Sequence, residues 1–302
     1  MNPIADKQIT INVKNANEYY ESALINLRHL GEKVITRGKT MIELTNVVAT
    51  VTNPRDRLLT EVNRKWPIKG FTAEVLWYLS GNPTLRTITK YLPVWAQFSD
   101  NGSTVNSNYG NHWFPYVSNI IEILRKDPGA RHACFSIYKS HYSMIQTKDV
   151  PCTFAIQFLI RDNRLNMIVF NRSRDVIKGE LGGDFYAFSI LQELVANELE
   201  VEIGTYTAMH GSLHIYEQDF YKMFETLNFA DKIDYYPFAY NEKIKFKYTN
   251  ALKEIHAACN KSINDFTYAN DFLCDIILAK QIDVADFVYD LDQLQAKDLP
   301  TF

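Results

Sequence analysis

One short stretch of the sequence, residues 151–175, combines residue types that can attack a substrate covalently and bind its phosphate. Cys152 stands near its beginning and Arg172-Ser173 near its end. A thiol close to a guanidinium ionises more easily, and the thiolate is the nucleophilic form. An arginine beside a hydroxyl is suited to binding phosphate. Because a lone cysteine in a strand is more often a packing residue, these residue types alone leave both interpretations open.

The elements that must position these residues are the two strands of a predicted β-hairpin. Two apolar runs flank the polar residues 161–164, a pattern typical of strands joined by a tight turn. Residues equidistant from the turn pair with each other, which places Cys152 opposite Ser173 and next to Arg172. We therefore expect a nucleophile close to a phosphate site at the open end of the hairpin.

Composition narrows the class of protein. The chain has 302 residues, 46% of them hydrophobic, which suffices for one large domain or two small ones. Its net charge of −3 gives no global positive field, so we expect no nucleic-acid partner. The four cysteines form no CxxC pair and no Cys/His cluster, which argues against a metal site and fits a reducing cytoplasm. The first residues do not resemble a signal peptide, and no apolar run approaches membrane-spanning length, so we expect no membrane partner.

One carboxylate, Glu74, falls within an apolar segment, residues 71–79, that predicts a buried helix. Burying a carboxylate is costly unless it is hydrogen-bonded, and burial raises its pKa. Such a group can transfer protons near neutral pH. The alternative, a glutamate facing solvent, is disfavoured by the apolar neighbours on most sides.

Other elements follow from periodicity and from turn residues. The predicted helices and strands are a helix at 15–31, a strand at 41–51, a helix ending at 120–126, a helix at 185–199 and a strand at 204–216. Residues 82–115 are predicted to be loop-rich, and 176–183 to be a Gly-rich connection. Asp184 stands at the start of the helix that follows, where its plain interpretation is an N-cap.

The order and spacing of several motifs resemble the thymidylate synthase superfamily from about residue 15 to about residue 220. The matching motifs are Glu74-x-x-Trp77-x-x-x-Gly81, Pro151-Cys152, Gln157-Phe158, Arg172-Ser173-x-Asp175 and His214-Ile215-Tyr216. Some details look more like the bacteriophage-type deoxycytidylate hydroxymethylase branch. They are Cys152-Thr153, where synthases usually have Cys-His, the runs 106–110 and 157–162, and Gly211-Ser212-Leu213-His214.

This resemblance implies a single catalytic domain over 1–302 with an α/β (α+β) fold. The fold is a large twisted mixed sheet with surrounding helices, dimerising through the sheet. Residues 220–302 match no family pattern and are expected to form a divergent C-terminal region. The implied protein is a cytoplasmic homodimer, and the phage-like details make a phage-encoded enzyme acting in a host cytoplasm one possible origin.

The reaction implied is transfer of a one-carbon unit from 5,10-methylenetetrahydrofolate, with no metal, to carbon 5 of a pyrimidine nucleotide monophosphate. Cys152 would add to carbon 6 of the pyrimidine, and Glu74 would relay protons. The first expectation is conversion of dCMP to 5-hydroxymethyl-dCMP. Open alternatives are a thymidylate synthase acting on dUMP, a hydroxymethylase acting on dUMP or CMP, and a member that binds nucleotide or RNA without turnover.

The resemblance also implies roles for individual residues. The expected catalytic group comprises Cys152, Glu74, Asp184 and, near the thiol, Tyr109. Nucleotide binding is expected from Arg37, Arg172, Ser173, Gln157, His214, Tyr216, Asp184 and an Arg131 that crosses to the partner's site. Folate binding is expected from Trp95, Asp175 and Glu74. The family usually has two consecutive arginines where this chain has Arg131-His132, which is a departure at the second position.

Asp184 is the expected base-reading residue. Near this point synthases have an asparagine that pairs with uracil, whereas deoxycytidylate hydroxymethylases have an aspartate. A carboxylate can accept from the amino group of cytosine and pair through a shared proton with the adjacent ring nitrogen. A gapless count from Arg172 puts Gly183 at the family position, so the assignment requires a one-residue insertion.

Overall fold

The structure, a computed structural model, describes residues 8–61, 64–228, 244 and 247–250. The strands are β1 (Ile9–Val13), β2 (Glu32–Thr36), β3 (Lys39–Val51), β4 (Cys134–Ser136), β5 (Thr153–Arg161), β6 (Arg164–Asn171), β7 (Arg174–Asp175) and β8 (Glu202–Tyr216). The helices are α1 (Ala16–Leu30), α2 (Ile68–Ser80), α3 (Leu85–Ile88), α4 (Tyr109–Lys126), α5 (Phe185–Glu198) and α6 (Phe220–Asn228).

The strands form one mixed sheet in the order β1-β3-β8-β6-β5-β4, with β2 beside β3 and β7 beside β8. The long strand β8 lies in the middle, antiparallel to β3 and parallel to β6. Together with the surrounding helices, this arrangement confirms the predicted α/β fold with a large mixed sheet. The predictions for residues beyond 228 lie almost entirely outside the described residues.

The two faces of the sheet differ in burial because successive side chains of a strand point to opposite faces. Ala49, Val169 and Ala208 are fully buried on the face that packs against the helices. Their neighbours on the other face, including Phe170 and Met209, are only half-buried. One face of the sheet is thus the core, and the other is left uncovered by the described part of this chain.

The helix α1 begins and ends close to its predicted limits. The side chain of Asn15 accepts a hydrogen bond from the backbone N–H of Glu18, which is a standard N-cap, and Gly31 follows the last turn. The α2 helix is also confirmed, and it is buried along nearly its whole length. Gly81 ends it in a left-handed conformation, with a φ of 66°, that favours glycine.

Two predicted connections are helical instead. The helix α4 begins at Tyr109, so the loop predicted at 82–115 is too long at its end. Gly110 weakened the helical pattern, but it lies against α2, where an added Cβ would come 1.7 Å from the Tyr78 carbonyl oxygen. The predicted connection at 176–183 forms a wide π-helical turn over Val176–Asp184 that leads directly into α5. A π turn contains more residues than an α turn and has no periodic apolar signature.

Glu193 of α5 anchors the segment after β3 to the helical layer. Its carboxylate is fully buried and accepts from Arg55 Nε at 2.7 Å and from Arg57 Nη2. Removing one member of a buried ion pair leaves uncompensated charge. We expect Glu193→Ala to lower the free energy of unfolding by about 3–5 kcal/mol in urea denaturation.

The matched control is Glu122, which pairs with Arg125 on the solvent-exposed surface of α4. Glu122→Ala should change the free energy of unfolding by less than about 1 kcal/mol, because exposed pairs are screened by water. Equal effects of the two substitutions would contradict the anchoring role of Glu193.

Among the described residues, no helix combines the length and the apolar character needed to cross a membrane.

Candidate active site

The hairpin predicted at the centre of the chain is confirmed. It consists of β5 and β6, and Arg161 pairs with Arg164 across the turn. Asp162 and Asn163 both have positive φ values, 52° and 56°, which is the geometry of a two-residue type I′ turn. The sequence therefore folds locally as its turn residues dictate.

The pairing at the open end of the hairpin differs from the prediction by one residue. An irregularity between Thr153 and Ala155 shifts the register, so Thr153 pairs with Asn171. The Arg172 N–H then donates to the Cys152 carbonyl oxygen at 2.9 Å, and Cys152 lies opposite Arg172 rather than Ser173. Such a bulge adds a residue to one strand and leaves no periodic trace in the sequence.

The Cys152 thiol and the Arg172 guanidinium are in direct contact. Arg172 Nη2 lies 3.6 Å from Cys152 Sγ. The same guanidinium donates to the carbonyl oxygens of Val150 at 2.7 Å and Pro151 at 3.0 Å, which fixes its position. The half-buried Ser173 follows directly. The thiol and the arginine are therefore in contact, and the serine is next to the arginine in the chain at the hairpin end, although the strand pairing differs from the prediction.

The expectation that the Cys152 thiol ionises easily is wrong. Burial raises the pKa of Cys152 above its ordinary value, and the charges of Arg174 and Arg172 only partly counteract this rise. The expected easily ionised thiol is thus mostly protonated at neutral pH in the free protein. The nearby arginine could be identified from the sequence. The desolvation that raises the pKa could not, because it depends on all the groups packed around the sulfur.

A second group of charges gathers at the end of β8. The exposed Arg37 occupies the β2–β3 turn with a φ of 50°, and Lys39 Nζ lies 5.7 Å from the Tyr216 ring centroid. Arg37 and Arg172 both lower the pKa of Tyr216, but burial outweighs them and raises it. The charge of Cys152 also raises the pKa of Tyr216. The β2–β3 turn, the end of the hairpin and the end of β8 therefore lie close together.

His214 is buried beside this group. Burial, followed by the charges of Arg172 and Arg174, lowers its pKa to about 4, so the imidazole is neutral at pH 7. Its Nδ1 lies 3.3 Å from Ser212 Oγ, and its ring meets Tyr216 edge-on with centroids 5.0 Å apart. A neutral imidazole beside a phenol can exchange hydrogen bonds with a sugar hydroxyl.

Behind the thiol lies a buried cluster of carboxylates. Glu74 is buried, as predicted, and Tyr78 donates to its Oε1 at 2.6 Å. Burial and the nearby Asp184 raise the pKa of Glu74 to about 8. Burial raises the pKa of Asp184 to about 6, although Arg174 opposes the rise. At neutral pH Glu74 is thus protonated and Asp184 ionised, which separates an acid from a base.

Asp184 does not act as the N-cap that its position suggested. Its backbone is already helical, and its side chain makes no capping hydrogen bond. The carboxylate instead pairs with Arg174. An added Cβ at Gly183 would lie 2.7 Å from Glu74 Oε2, so that position has no room for a base-reading side chain. The π turn before α5 accommodates an additional residue, which supports the insertion that places Asp184 in the cluster.

Arg174 is a functional candidate that the sequence analysis missed. It occupies the variable position of the Arg172-Ser173-x-Asp175 motif, and its guanidinium is buried. Its partners are Tyr109 Oη at 3.1 Å, Asn171 Oδ1 at 2.5 Å, Thr153 Oγ1, Asp184 Oδ2 and, at 3.5 Å, Glu180 Oε2. Alternation along β6 buries the odd-numbered residues 165–171 and would have assigned residue 174 to the exterior, so no periodic signal in the sequence indicated its burial.

The expected folate residues Trp95 and Asp175 lie on different elements of the structure. Trp95 is half-buried and meets Trp77, with centroids 5.0 Å apart, and the partly exposed Phe98 at 5.8 Å. This aromatic surface fits a flat heteroaromatic ring. Asp175 accepts from the backbone N–H groups of Ile177 and Lys178, so it holds the beginning of the π turn as well.

Two predicted nucleotide-binding residues lie away from the thiol within this chain. Gln157 is five positions from Cys152, roughly 15 Å along an extended strand. Its Nε2 donates to the Arg131 carbonyl oxygen at 2.8 Å, and the Arg131 side chain is exposed.

In the described part of the chain, no cluster of three or more His, Cys, Asp or Glu side chains could hold a metal ion.

The comparisons with known proteins agree with this geometry. The profile of the thymidylate synthase family matches residues 19–269. The deoxyuridylate hydroxymethyltransferase of Bacillus phage SP01 is 30% identical over 228 residues, 70% of this chain and 60% of that protein. The enzyme of the same name from Pseudomonas phage M6 is 29% identical over 216 residues, 69% of this chain and 62% of its own. The deoxyuridylate hydroxymethyltransferase of Delftia phage PhiW-14 is 30% identical over 196 residues, which are 60% of this chain and 54% of that protein. The chain thus spans less than two thirds of the length of these relatives.

Proposed function

Because this chain belongs to the thymidylate synthase family, we propose that it transfers a one-carbon unit to carbon 5 of a pyrimidine deoxynucleotide monophosphate and leaves a hydroxymethyl group there. The observation that carries this proposal is the contact of the Cys152 thiol with Arg172 in front of the Glu74–Asp184 cluster. The three relatives support the hydroxymethyl product, since each is named a deoxyuridylate hydroxymethyltransferase.

Substrate binding would begin at the phosphate. Arg172 and Ser173 at the hairpin end and Arg37 in the β2–β3 turn supply positive charge and a hydroxyl around the thiol. The neutral His214 and Tyr216 would hold the sugar hydroxyl. These contacts would fix carbon 6 of the base next to Cys152 Sγ, which converts an encounter of two molecules into a reaction within one complex.

The covalent step uses the thiolate of Cys152 as nucleophile. Formation of the Sγ–C6 bond moves the electron pair of the C5–C6 double bond toward carbon 5 and, by conjugation, toward the carbonyl oxygen at position 4 of uracil or the ring nitrogen N3 of cytosine. The protonated Glu74 is the acid that neutralises this developing charge. Methylenetetrahydrofolate would supply the one-carbon unit. Carbon 5 would bond to this unit, and loss of the carbon 5 proton with departure of tetrahydrofolate would leave an exocyclic methylene. Addition of water to the methylene and breakage of the Sγ–C6 bond would then give the hydroxymethyl product and restore the thiol.

Two candidates for the base remain within this proposal. The names of the relatives favour dUMP, and the carboxylate of Asp184 favours dCMP, the first expectation from the sequence. A thymidylate synthase would differ in the product, because hydride transfer replaces water addition and leaves a methyl group.

We also propose that the protein is a homodimer through the uncovered sheet face. Phe170 and Met209 are apolar and only half-buried there, which is unusual for the centre of a sheet. Gln157 lies on the same face, and its contact with the backbone of Arg131 places that exposed arginine beside it. A partner packed on this face would receive Arg131, as the family resemblance implies.

The test is a product assay with purified protein, methylenetetrahydrofolate and, separately, dUMP and dCMP. We expect a hydroxymethylated nucleotide from at least one of them, identified by mass spectrometry. A methylated product with release of dihydrofolate would replace the hydroxymethyltransferase by a synthase. The absence of any product from both nucleotides would overturn the proposal.

A further inference from the structure

The variable position of the phosphate-binding motif holds the most heavily bonded side chain near the thiol. Arg174 is 2% exposed, and burying a guanidinium is costly unless acceptors surround it. Three carboxylates, Glu74, Glu180 and Asp184, face the same small volume. The charge of Arg174 lowers the pKa of all three carboxylic acids and so influences which of them is ionised. Arg174 therefore has an electrostatic effect in addition to its packing.

The contacts of Arg174 fix its orientation. Its Nη2 donates to Asn171 Oδ1 at 2.5 Å and to Thr153 Oγ1. Its Nη1 donates to Tyr109 Oη at 3.1 Å and to Asp184 Oδ2. A planar guanidinium bound at both terminal nitrogens cannot rotate, so its position relative to Asp184 is set by the hairpin. Thr153, which stands where synthases usually have histidine, supplies one of these bonds.

Asp184 is left with one open oxygen. Among the described residues, Arg174 is the only one that hydrogen-bonds its side chain, and it does so at Oδ2. The positive charge also keeps the carboxylate ionised. Oδ1 is therefore an acceptor that cannot itself donate.

The two candidate bases present different patterns to such a group. Cytosine has an amino donor next to a ring nitrogen that accepts, and its two-point recognition by a carboxylate requires both oxygens and a shared proton. Uracil has a ring N–H donor next to a carbonyl acceptor. A single ionised oxygen satisfies the uracil N–H, whereas the second oxygen, which would repel the uracil carbonyl, is already covered by Arg174.

We propose that Arg174 is a specificity-determining positioning residue that, by occupying one oxygen of Asp184, makes the site select uracil nucleotides over cytosine nucleotides. This inference rests on the proposed function, because it concerns the base that the same site reads. It accounts for a buried arginine at a position to which the motif assigns no role.

The test measures the ratio of kcat/KM for dUMP to kcat/KM for dCMP. The wild-type protein should prefer dUMP. Arg174→Met, which keeps an unbranched side chain and removes the charge, should reduce the ratio by about tenfold or more, since a carboxylate freed from the arginine can take a proton and use both oxygens. Arg174→Gln should shift the ratio in the same direction and retains polar contacts if the methionine variant does not fold.

The control is Glu180→Gln. Glu180 is a buried carboxylate that faces Arg174 Nε, whereas Asp184 contacts Nη1, so this substitution disturbs the same guanidinium at a different nitrogen. We expect its dUMP-to-dCMP ratio to stay within twofold of that of the wild-type protein. A general structural disturbance around Arg174 would instead change the ratio in both variants.

The pH dependence of the ratio gives a second readout. Protonation of Asp184, whose pKa is about 6, should favour dCMP as the pH falls. Removing Arg174 takes away the charge that lowers this pKa, so the shift toward dCMP should begin at a higher pH in Arg174→Met. The other titratable groups coupled electrostatically to Asp184 are Glu74, Tyr78, Tyr109, Cys152, Glu180 and Tyr206.

Two results would overturn the inference. One is a wild-type preference for dCMP, and the other is an unchanged ratio in the folded Arg174 variants. Both leave the hydroxymethyltransferase proposal intact, because product still forms. Absence of product from both nucleotides in the wild-type protein would instead remove the proposed function itself.

Discussion

Replacing Cys152 by alanine should abolish product formation, with a loss on the order of 10³-fold or more in kcat. The thiol is the nucleophile of the proposed reaction, and among the described residues no second cysteine lies at the hairpin end. Its carbonyl oxygen, which accepts from the Arg172 N–H, remains in the variant, so the hairpin should keep its pairing. The measurement is single-turnover product formation, with thermal melting to show that the variant is folded.

The matched control is Cys134, the other cysteine within the described residues, which is exposed on β4. Cys134→Ala should retain the wild-type rate. If Cys152→Ala kept its activity, or if both cysteine variants lost it equally, covalent catalysis by Cys152 would be wrong.

The second large effect concerns Glu74. Glu74→Gln should lower kcat by about 10²- to 10⁴-fold, because an amide cannot donate the proton that general-acid catalysis requires. Tyr78 can still donate to the amide oxygen, so we expect the fold and the affinity for the nucleotide to change little. Steady-state kinetics would show a loss in kcat with a nearly constant KM.

The pH profile makes the same prediction more specific. The pKa of Glu74 is raised to about 8, so above that pH the loss of its proton should offset the gain in Cys152 thiolate, and wild-type activity should stop rising with pH there. Tyr78→Phe removes a hydrogen bond that stabilises the ionised carboxylate and lowers this pKa. The pH at which activity stops rising should therefore move upward in Tyr78→Phe, and a move downward would contradict the assignment of Glu74 as the acid.

The stability of the folded protein should also depend on the protonation of Glu74. The folded protein keeps a proton on Glu74 that the unfolded chain loses near its ordinary pKa of 4.5. Its contribution to the stability is complete below that pH and is lost as the pH rises through about 8. The melting temperature of wild-type protein should thus decline over this interval more steeply than that of Glu74→Gln.

Much of the fold and the existence of the site could be predicted from the sequence, because local chemistry determines them. The Asp162-Asn163 turn, the cap at Asn15 and the apolar face around Glu74 are properties of neighbouring residues. The hairpin and the buried carboxylate could therefore be predicted from the sequence alone. The motif spacings around Cys152 and His214 carried the family resemblance that the profile match confirms.

What the sequence did not reveal depends on packing. The bulge after Thr153 moves Cys152 opposite Arg172, and the net effect of burial on the thiol outweighs two arginines. Arg174 escaped attention because a charged residue at a variable motif position suggests a solvated side chain. Its partner Asp184 stands ten positions further along the chain, and this pairing exists only in the folded protein.

The central claim is that Cys152 activates carbon 5 of the pyrimidine, and release of tritium from [5-³H]dUMP measures this step most directly. The assay would contain methylenetetrahydrofolate and wild-type or Cys152→Ala protein, with [5-³H]dCMP run in parallel. We predict release of tritium into water by the wild-type protein, in step with product formation, and none above background by Cys152→Ala. Equal release by both proteins, or wild-type product formed with the tritium retained, would contradict the account.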